Sequence, residues 1–235
     1  MNGERVLLLI ADIGGYTQFM HLHRTSLAHA EATTARLLKR IVEAARGFNL
    51  VEIEGDAAFL SRAASGNGVV EVTTQAAVAM HRAFHAERER VATNMCPCQG
   101  CHLAGDLTLK FVAHVGEAAT QRIKKRRKLV GIDVIHVHRM LKNPVPVAEY
   151  VLLSEELYRS GEAALPEPVH EIQQELEGIG PSRAYFVEVE SIAGPLPPAP
   201  DPSLASRFVV TVGILGRGLP YMLGLRRKSR VASAH

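Results

Sequence analysis

The sequence predicts an α+β fold, a sheet with helices packed against it, and three observations carry that expectation. A continuous apolar run at residues 5–11 (RVLLLIA) ends at Asp12 and at Gly14-Gly15, the mark of a buried strand leading into a tight turn. Two long stretches, 26–46 and 69–92, carry apolar residues at helical spacing. Between them, residues 48–60 (FNLVEIEGDAAFL) alternate on either side of Gly55-Asp56, the pattern of a hairpin.

Each element has its own local reason. In the first helix Leu27, Leu37, Leu38, Ile41 and Val42 make the apolar face, Ser26 serves as cap and Gly47 as stop. The hairpin turns at Glu54-Gly55-Asp56, where small neighbours suit a close approach to the backbone. In the second helix Ala76, Ala77, Met80 and Phe84 face inward, and its charged far end is expected to be exposed. Residues 93–102 (TNMCPCQGCH) read as an irregular insertion, and 107–113 (LTLKFVA) as a strand running into His114-Val115-Gly116. A basic stretch follows within 117–130, then a short helix over 132–142 with Asp133 in its first turn and Lys142 near its end. Tyr150–Leu153 is a strand, Ser154 opens a short helix with Glu155 and Glu156, and 183–190 (RAYFVEVE) is the last strand. The order βαββαβ is that of a ferredoxin-like two-layer sandwich with helices on one face.

With 235 residues there is room for one such domain and a short appendage. The domain is expected over 1–192, with the Cys-containing insertion at 93–104, a Pro-rich linker at 193–203 and a basic, apolar tail at 204–235. Hydrophobic residues make up 47% and charged residues 22%, an ordinary globular composition. A net charge of +3 implies no partner by itself. The N-terminal apolar run follows Glu4-Arg5 and is broken by Asp12, unlike a signal peptide, and no run reaches the length of a membrane helix, so a cytoplasmic location is expected.

The candidate chemistry starts with Asp12 and Asp56. Each sits beside an apolar strand and a glycine, where a carboxylate is costly unless paired, hydrogen-bonded or bound to a cation. Side by side, the two suit Mg²⁺ or Mn²⁺; the competing reading is that each Asp caps its own turn. Cys96, Cys98 and Cys101 with His102 form C-x-C-x-x-C-H, a donor set for structural Zn²⁺ or another soft metal that His81, His85 or a dimer mate could complete, with reduced free thiols on an exposed loop as the main competitor and redox sensing as a smaller one. Residues 122–128 (RIKKRRK) hold six basic side chains and no aromatic, so base stacking and a specific nucleic-acid partner are not signalled; attraction of a phosphate or nucleotide, or contact with an anionic partner face, competes with a plain solvated hairpin or loop. His136 and His138, two apart on a helix, face different sides, and His114 reads as a packed residue. The tail suits contact with a partner subunit or weak peripheral contact with an anionic membrane.

LLLIADIGGYTQFM and VEIEGDAAFL resemble the first two motifs of the class III nucleotidyl cyclases, which make cyclic AMP or cyclic GMP. FVAHVGEA is similar to that family's strand with His-x-Gly, GIDVIHVHRML to its transition-state helix, and GIGPSRAYFV to its last strand, so the resemblance spans about residues 5–190. The Cys-containing insertion also resembles that of a little-characterised bacterial set of cyclase-like proteins. The resemblance implies a nucleotidyl cyclase-type sandwich and a homodimer converting a purine nucleoside triphosphate to a 3′,5′-cyclic nucleotide and pyrophosphate. In it Asp12, Asp56 and the backbone carbonyl of Ile13 would hold two Mg²⁺ or Mn²⁺ ions. Glu52 would read the purine, in the manner of a guanylyl cyclase, and Lys128 falls on the second purine-reading position. Arg139 would neutralise charge on the reacting phosphate, acting from the other subunit. The sequence departs from the pattern at Ile135, where the family has a ribose-orienting Asn, and at Ile179, where it has a phosphate-binding Lys; Arg183 is the nearby substitute on a shifted frame. Those departures support the alternative of a catalytically inactive module that binds nucleotide or metal in a regulatory role.

Overall fold

The computed structural model describes residues 3–23, 27–65, 68–94, 103–124, 126–161, 165 and 168–196. Cys96, Cys98, Cys101, His102, the Ser26 cap and the tail at 204–235 lie outside the described residues. Eight strands, β1 (Glu4–Gly14), β2 (Asn49–Glu54), β3 (Ala57–Ala63), β4 (Thr108–Ile123), β5 (Arg126–Val130), β6 (Tyr150–Ser154), β7 (His170–Leu176) and β8 (Gly180–Glu188), form one sheet. Its order is β2-β3-β1-β4-β6-β8-β7, with β5 paired to the far end of β4. All pairings are antiparallel except β4 with β6. The helices are α1 (Tyr16–Leu22), α2 (Leu27–Ala44), α3 (Val69–Asn94), α4 (Ile132–Arg139), α5 (Glu155–Arg159) and α6 (Val189–Ala193), with a 3₁₀ turn at Ala104–Asp106.

The expected α+β sandwich is present, and strand alternation sorts its two faces. Leu7, Leu9, Ala11 and Ile13 of β1 pack against Leu37, Ile41, Met80 and Phe84 of α2 and α3. Val6, Leu8 and Ile10 face the other way, onto Val137 of α4 and Met140 at its C-terminal cap. Hence α4 covers the face opposite the long helices, where the sequence reading has all helices on one side. The central strand β1 reads as an unbroken apolar run because both of its faces are covered.

Local chemistry explains several boundaries. Gly47, at φ +80, ends the α2 region in the left-handed conformation that glycine adopts freely. Ser154 caps α5 by accepting from the Leu157 N–H. The far end of α3 departs from expectation: Glu87 is 2% exposed, held by Arg36, Arg40 and Arg90, so its charge is neutralised rather than solvated. The basic stretch is the β4–β5 hairpin; β4 is far longer than its apolar segment because its polar half is paired with β5.

Candidate active site and buried histidine clusters

The β2–β3 turn consists of Gly55 and Asp56, and it abuts the end of β1, where the Ile13 N–H donates to the Asp56 carbonyl at 3.2 Å. Asp12 lies opposite Ala57 on one side and Lys110 on the other. The two carboxylates are therefore neighbours across the strand end. Burial, and then the like charge of Asp12, push the Asp56 pKa up. Lys110 Nζ, 3.1 Å from Asp12 Oδ2, supplies part of the missing positive charge. Tyr150, whose phenol is pushed up chiefly by burial and which hydrogen-bonds Asn143, stands on the same face and within the field of Lys110 and Asp12. Adjacent oxygen donors with an excess of negative charge fit a hard divalent cation.

Glu52, Lys128, Ile135 and Arg139 line one open groove of about 450 Å³, together with Glu54, Phe59, Val134 and His138. Lys128 and Glu52 face the same space without forming an ion pair, since no ion pair joins them among the described residues. Arg139 is held by Glu177 at 2.7 Å, and His138 lies 3.4 Å from Glu54. Ile135 is exposed to the groove, whereas Ile179 packs partly buried on the α4-side core. Arg183 does not join these residues. Its neighbours Ala184 and Phe186 face α4, so Arg183 points to the opposite side, where it pairs with Glu155 at 3.6 Å. Asp12 and Asp56 are not among the residues that line this groove, although Glu54 beside their turn is.

Two His/Glu clusters able to coordinate a divalent metal are present among the described residues: His81, His85 and Glu149, and His114, His136 and Glu156. The second is largely consumed by hydrogen bonds. His114 reaches Ser154 at 2.8 Å through Nδ1 and Asp133 at 3.0 Å through Nε2, which matches its reading as a packed residue. His136 is buried against His114, and burial followed by that neighbour lowers its pKa. A Cβ at Gly116 would lie 2.2 Å from the Asp133 side chain, which accounts for the glycine in His-x-Gly. Lys110, Glu177 and Glu149 were not singled out from sequence: their partners are tens of residues away in the chain. The i, i+4 spacing of His81 and His85 was the one local signal for the first cluster.

The fold is that of the class III nucleotidyl cyclases. The guanylyl cyclase Cya2 is similar with a TM-score of 0.62 at 17% identity, covering 80% of this chain and 94% of that one. The guanylate cyclase domain of RhGC from Catenaria anguillulae, solved with GTP, gives 0.55 at 21% identity over 80% of this chain and 98% of that one. The adenylyl cyclase CyaB from P. aeruginosa gives 0.52 at 15% identity, over 79% and 94%. The chain belongs to the family of the protein described as "Uncharacterized protein Rv2561/Rv2562" from Mycobacterium tuberculosis (strain ATCC 25618 / H37Rv), which is 35% identical over 195 residues, 82% of this chain and 90% of that protein. The family model "Protein of unknown function (DUF2652)" matches residues 34–150.

Proposed function

We propose that the protein is a metal-dependent nucleotidyl cyclase-like protein that binds a purine nucleoside triphosphate as a homodimer and converts it slowly to a 3′,5′-cyclic nucleotide and pyrophosphate. The observation that carries this reading is the neighbouring carboxylates of Asp12 and Asp56 at the end of β1, where burial, and then the like charge of Asp12, raise the Asp56 pKa and favour a cation. Mg²⁺ or Mn²⁺ held there would acidify the ribose 3′-hydroxyl and neutralise the triphosphate during displacement of pyrophosphate from the α-phosphate. Asp12 and Asp56 act as the oxygen donors. Glu52 accepts hydrogen bonds from the base, Lys128 lies beside it, and Arg139 offsets charge on the reacting phosphate.

That Asp12 and Asp56 are not among the residues lining the groove fits a composite site between two copies, one providing Asp12 and Asp56 and the other Arg139 and its neighbours. The exposed apolar side chains of Ile53, Ile132 and Ile135 are in keeping with such pairing. The likeness to GTP-bound and other cyclase domains lends the substrate class. Ile135 and Ile179 favour a second reading, a module that binds nucleotide and metal without turnover, because neither side chain can hydrogen-bond ribose or phosphate.

The test is an assay with Mn²⁺ and GTP or ATP that reads cyclic nucleotide and pyrophosphate, on the wild type and on Asp56→Ala. Product that disappears in Asp56→Ala is the expected result. Nucleotide binding without product would favour the second reading, and absence of Mn²⁺-dependent nucleotide binding would refute both.

A further inference from the structure

His81 and His85 lie one helical turn apart on α3, both almost fully buried, with their rings 4.2 Å apart. Their Nε2 atoms converge on one carboxylate. His81 Nε2 is 2.9 Å from Glu149 Oε2, and His85 Nε2 is 2.9 Å from Oε1 and 3.1 Å from Oε2. Glu149 immediately precedes β6, and its Oε1 also accepts the Leu109 N–H at 2.8 Å, which fixes the carboxylate on the α3 side of the sheet. Burial opposes the Glu149 charge, but hydrogen bonds from both histidines and Leu109 outweigh it, so the carboxyl is held well below its ordinary pKa range.

From this geometry we propose a metal site formed by His81, His85 and Glu149, specific for a borderline divalent cation of the Zn²⁺ class. Two imidazoles and a carboxylate are the donor set Zn²⁺ accepts, whereas Mg²⁺ and Ca²⁺ prefer all-oxygen ligands. Ligand atoms in a tetrahedral zinc site stand about 3.3 Å apart at ordinary Zn–N and Zn–O lengths, so the two histidine–carboxylate separations of 2.9 Å need to open by only a few tenths of an ångström. All three ligand atoms lie within 4.8 Å of one another. Among the described residues the buried Nδ1 atoms of both histidines have no hydrogen-bond partner, so their hydrogen bonds to the described residues run through Nε2 to Glu149. Three protein donors leave one position for water.

The site differs from the Asp12–Asp56 pair in location and chemistry. Tyr150 sits on the face of Lys110 and Asp12, whereas Glu149, the preceding residue, turns to α3. The ion would tie the far half of α3 to the sheet directly behind the carboxylate pair. It also gives His81 and His85 a partner independent of the Cys96–His102 cluster.

The experiment uses the full chain with Cys96→Ser, Cys98→Ser and Cys101→Ser, which removes the thiolates, and titrates Zn²⁺ alone against a chromophoric chelator at neutral pH. The expected result is one tightly bound equivalent, weakened about 100-fold or more by His85→Ala or Glu149→Gln, since loss of one of three ligands is severe. Zinc at a hundredfold excess over Kd should raise the Tm of the Ser variant by about 5–10 °C and leave the Glu149→Gln form unchanged. In the wild type, Co²⁺ substitution with His85→Ala as control gives a second readout, in which the histidine change must remove a d–d band that lacks thiolate charge transfer. Absence of zinc binding by the Ser variant with His81, His85 and Glu149 intact would reduce the cluster to a hydrogen-bonded ion pair and overturn the proposal. Binding unaffected by His85→Ala and by Glu149→Gln would overturn it as well.

Discussion

Replacement of Lys110 by Met tests the electrostatics of the carboxylate pair directly. Lys110 Nζ stands 3.1 Å from Asp12 Oδ2, with the two side chains 25% and 19% exposed. At that distance and an effective dielectric of about 20, the gross attraction is about 5 kcal/mol. Desolvation of the ammonium and the lost freedom of its stem cancel most of it, which leaves about 1–2 kcal/mol, between an exposed pair and a buried one. Lys110→Met in EDTA should therefore lower Tm by about 3–6 °C for a chain of this size. In the same variant Mn²⁺ should bind about tenfold more tightly, a change of about 1.4 kcal/mol, because a fixed positive charge no longer competes for Asp12. Thermal unfolding by circular dichroism and Mn²⁺ titration by electron spin resonance read the two effects. A variant that is equally stable and binds Mn²⁺ no better, or worse, would refute the reasoning that Lys110 is the resident counter-charge of the pair.

Asp56→Asn should abolish Mn²⁺ binding yet leave the metal-free protein at least as stable as the wild type, because it removes a carboxylate whose raised pKa marks an unfavourable charge; a large drop in metal-free Tm would contradict this. The sign of the pH effect follows: a carboxyl with a raised folded pKa costs stability while ionised, so acidification through that pKa should stabilise the wild type relative to Asp56→Asn. His136 behaves oppositely. Its folded pKa is lowered by burial and by His114, so stability should fall as pH drops below about 6.5, and His136→Gln should lose less between about pH 7 and 5 in urea titrations. Gly116→Ala should destabilise by about 1–3 kcal/mol by forcing Asp133 away from His114 and the Glu117 N–H, visible as a lower urea midpoint with unchanged m-value. If turnover is measurable, Arg139→Ala should reduce kcat by about 10²-fold, with little change in Mn²⁺ affinity.

The sequence by itself determined the elements whose signal is local. The apolar run of β1, the Gly55-Asp56 turn, the inward faces of α2 and α3 and the Ser154 cap all depend on residues within a few positions of one another, and all are present in the structure, except that Leu27, expected on the apolar face of α2, is exposed at the start of that helix. Asp12 and Asp56 could be paired from sequence because β1 and the β2–β3 hairpin belong to recognisable motifs at a characteristic separation. Tertiary structure alone decided which face each side chain takes and what it meets there. It set α4 on the sheet face opposite the long helices, turned Arg183 away from the groove, buried Glu87 beneath three arginines, and brought Lys110 to Asp12 and Glu149 to His81 and His85. Those outcomes depend on strand register, in which a shift of one residue exchanges the two faces. They also depend on charge pairs whose members are far apart in the chain, so their stabilisation exists only once the sheet has closed.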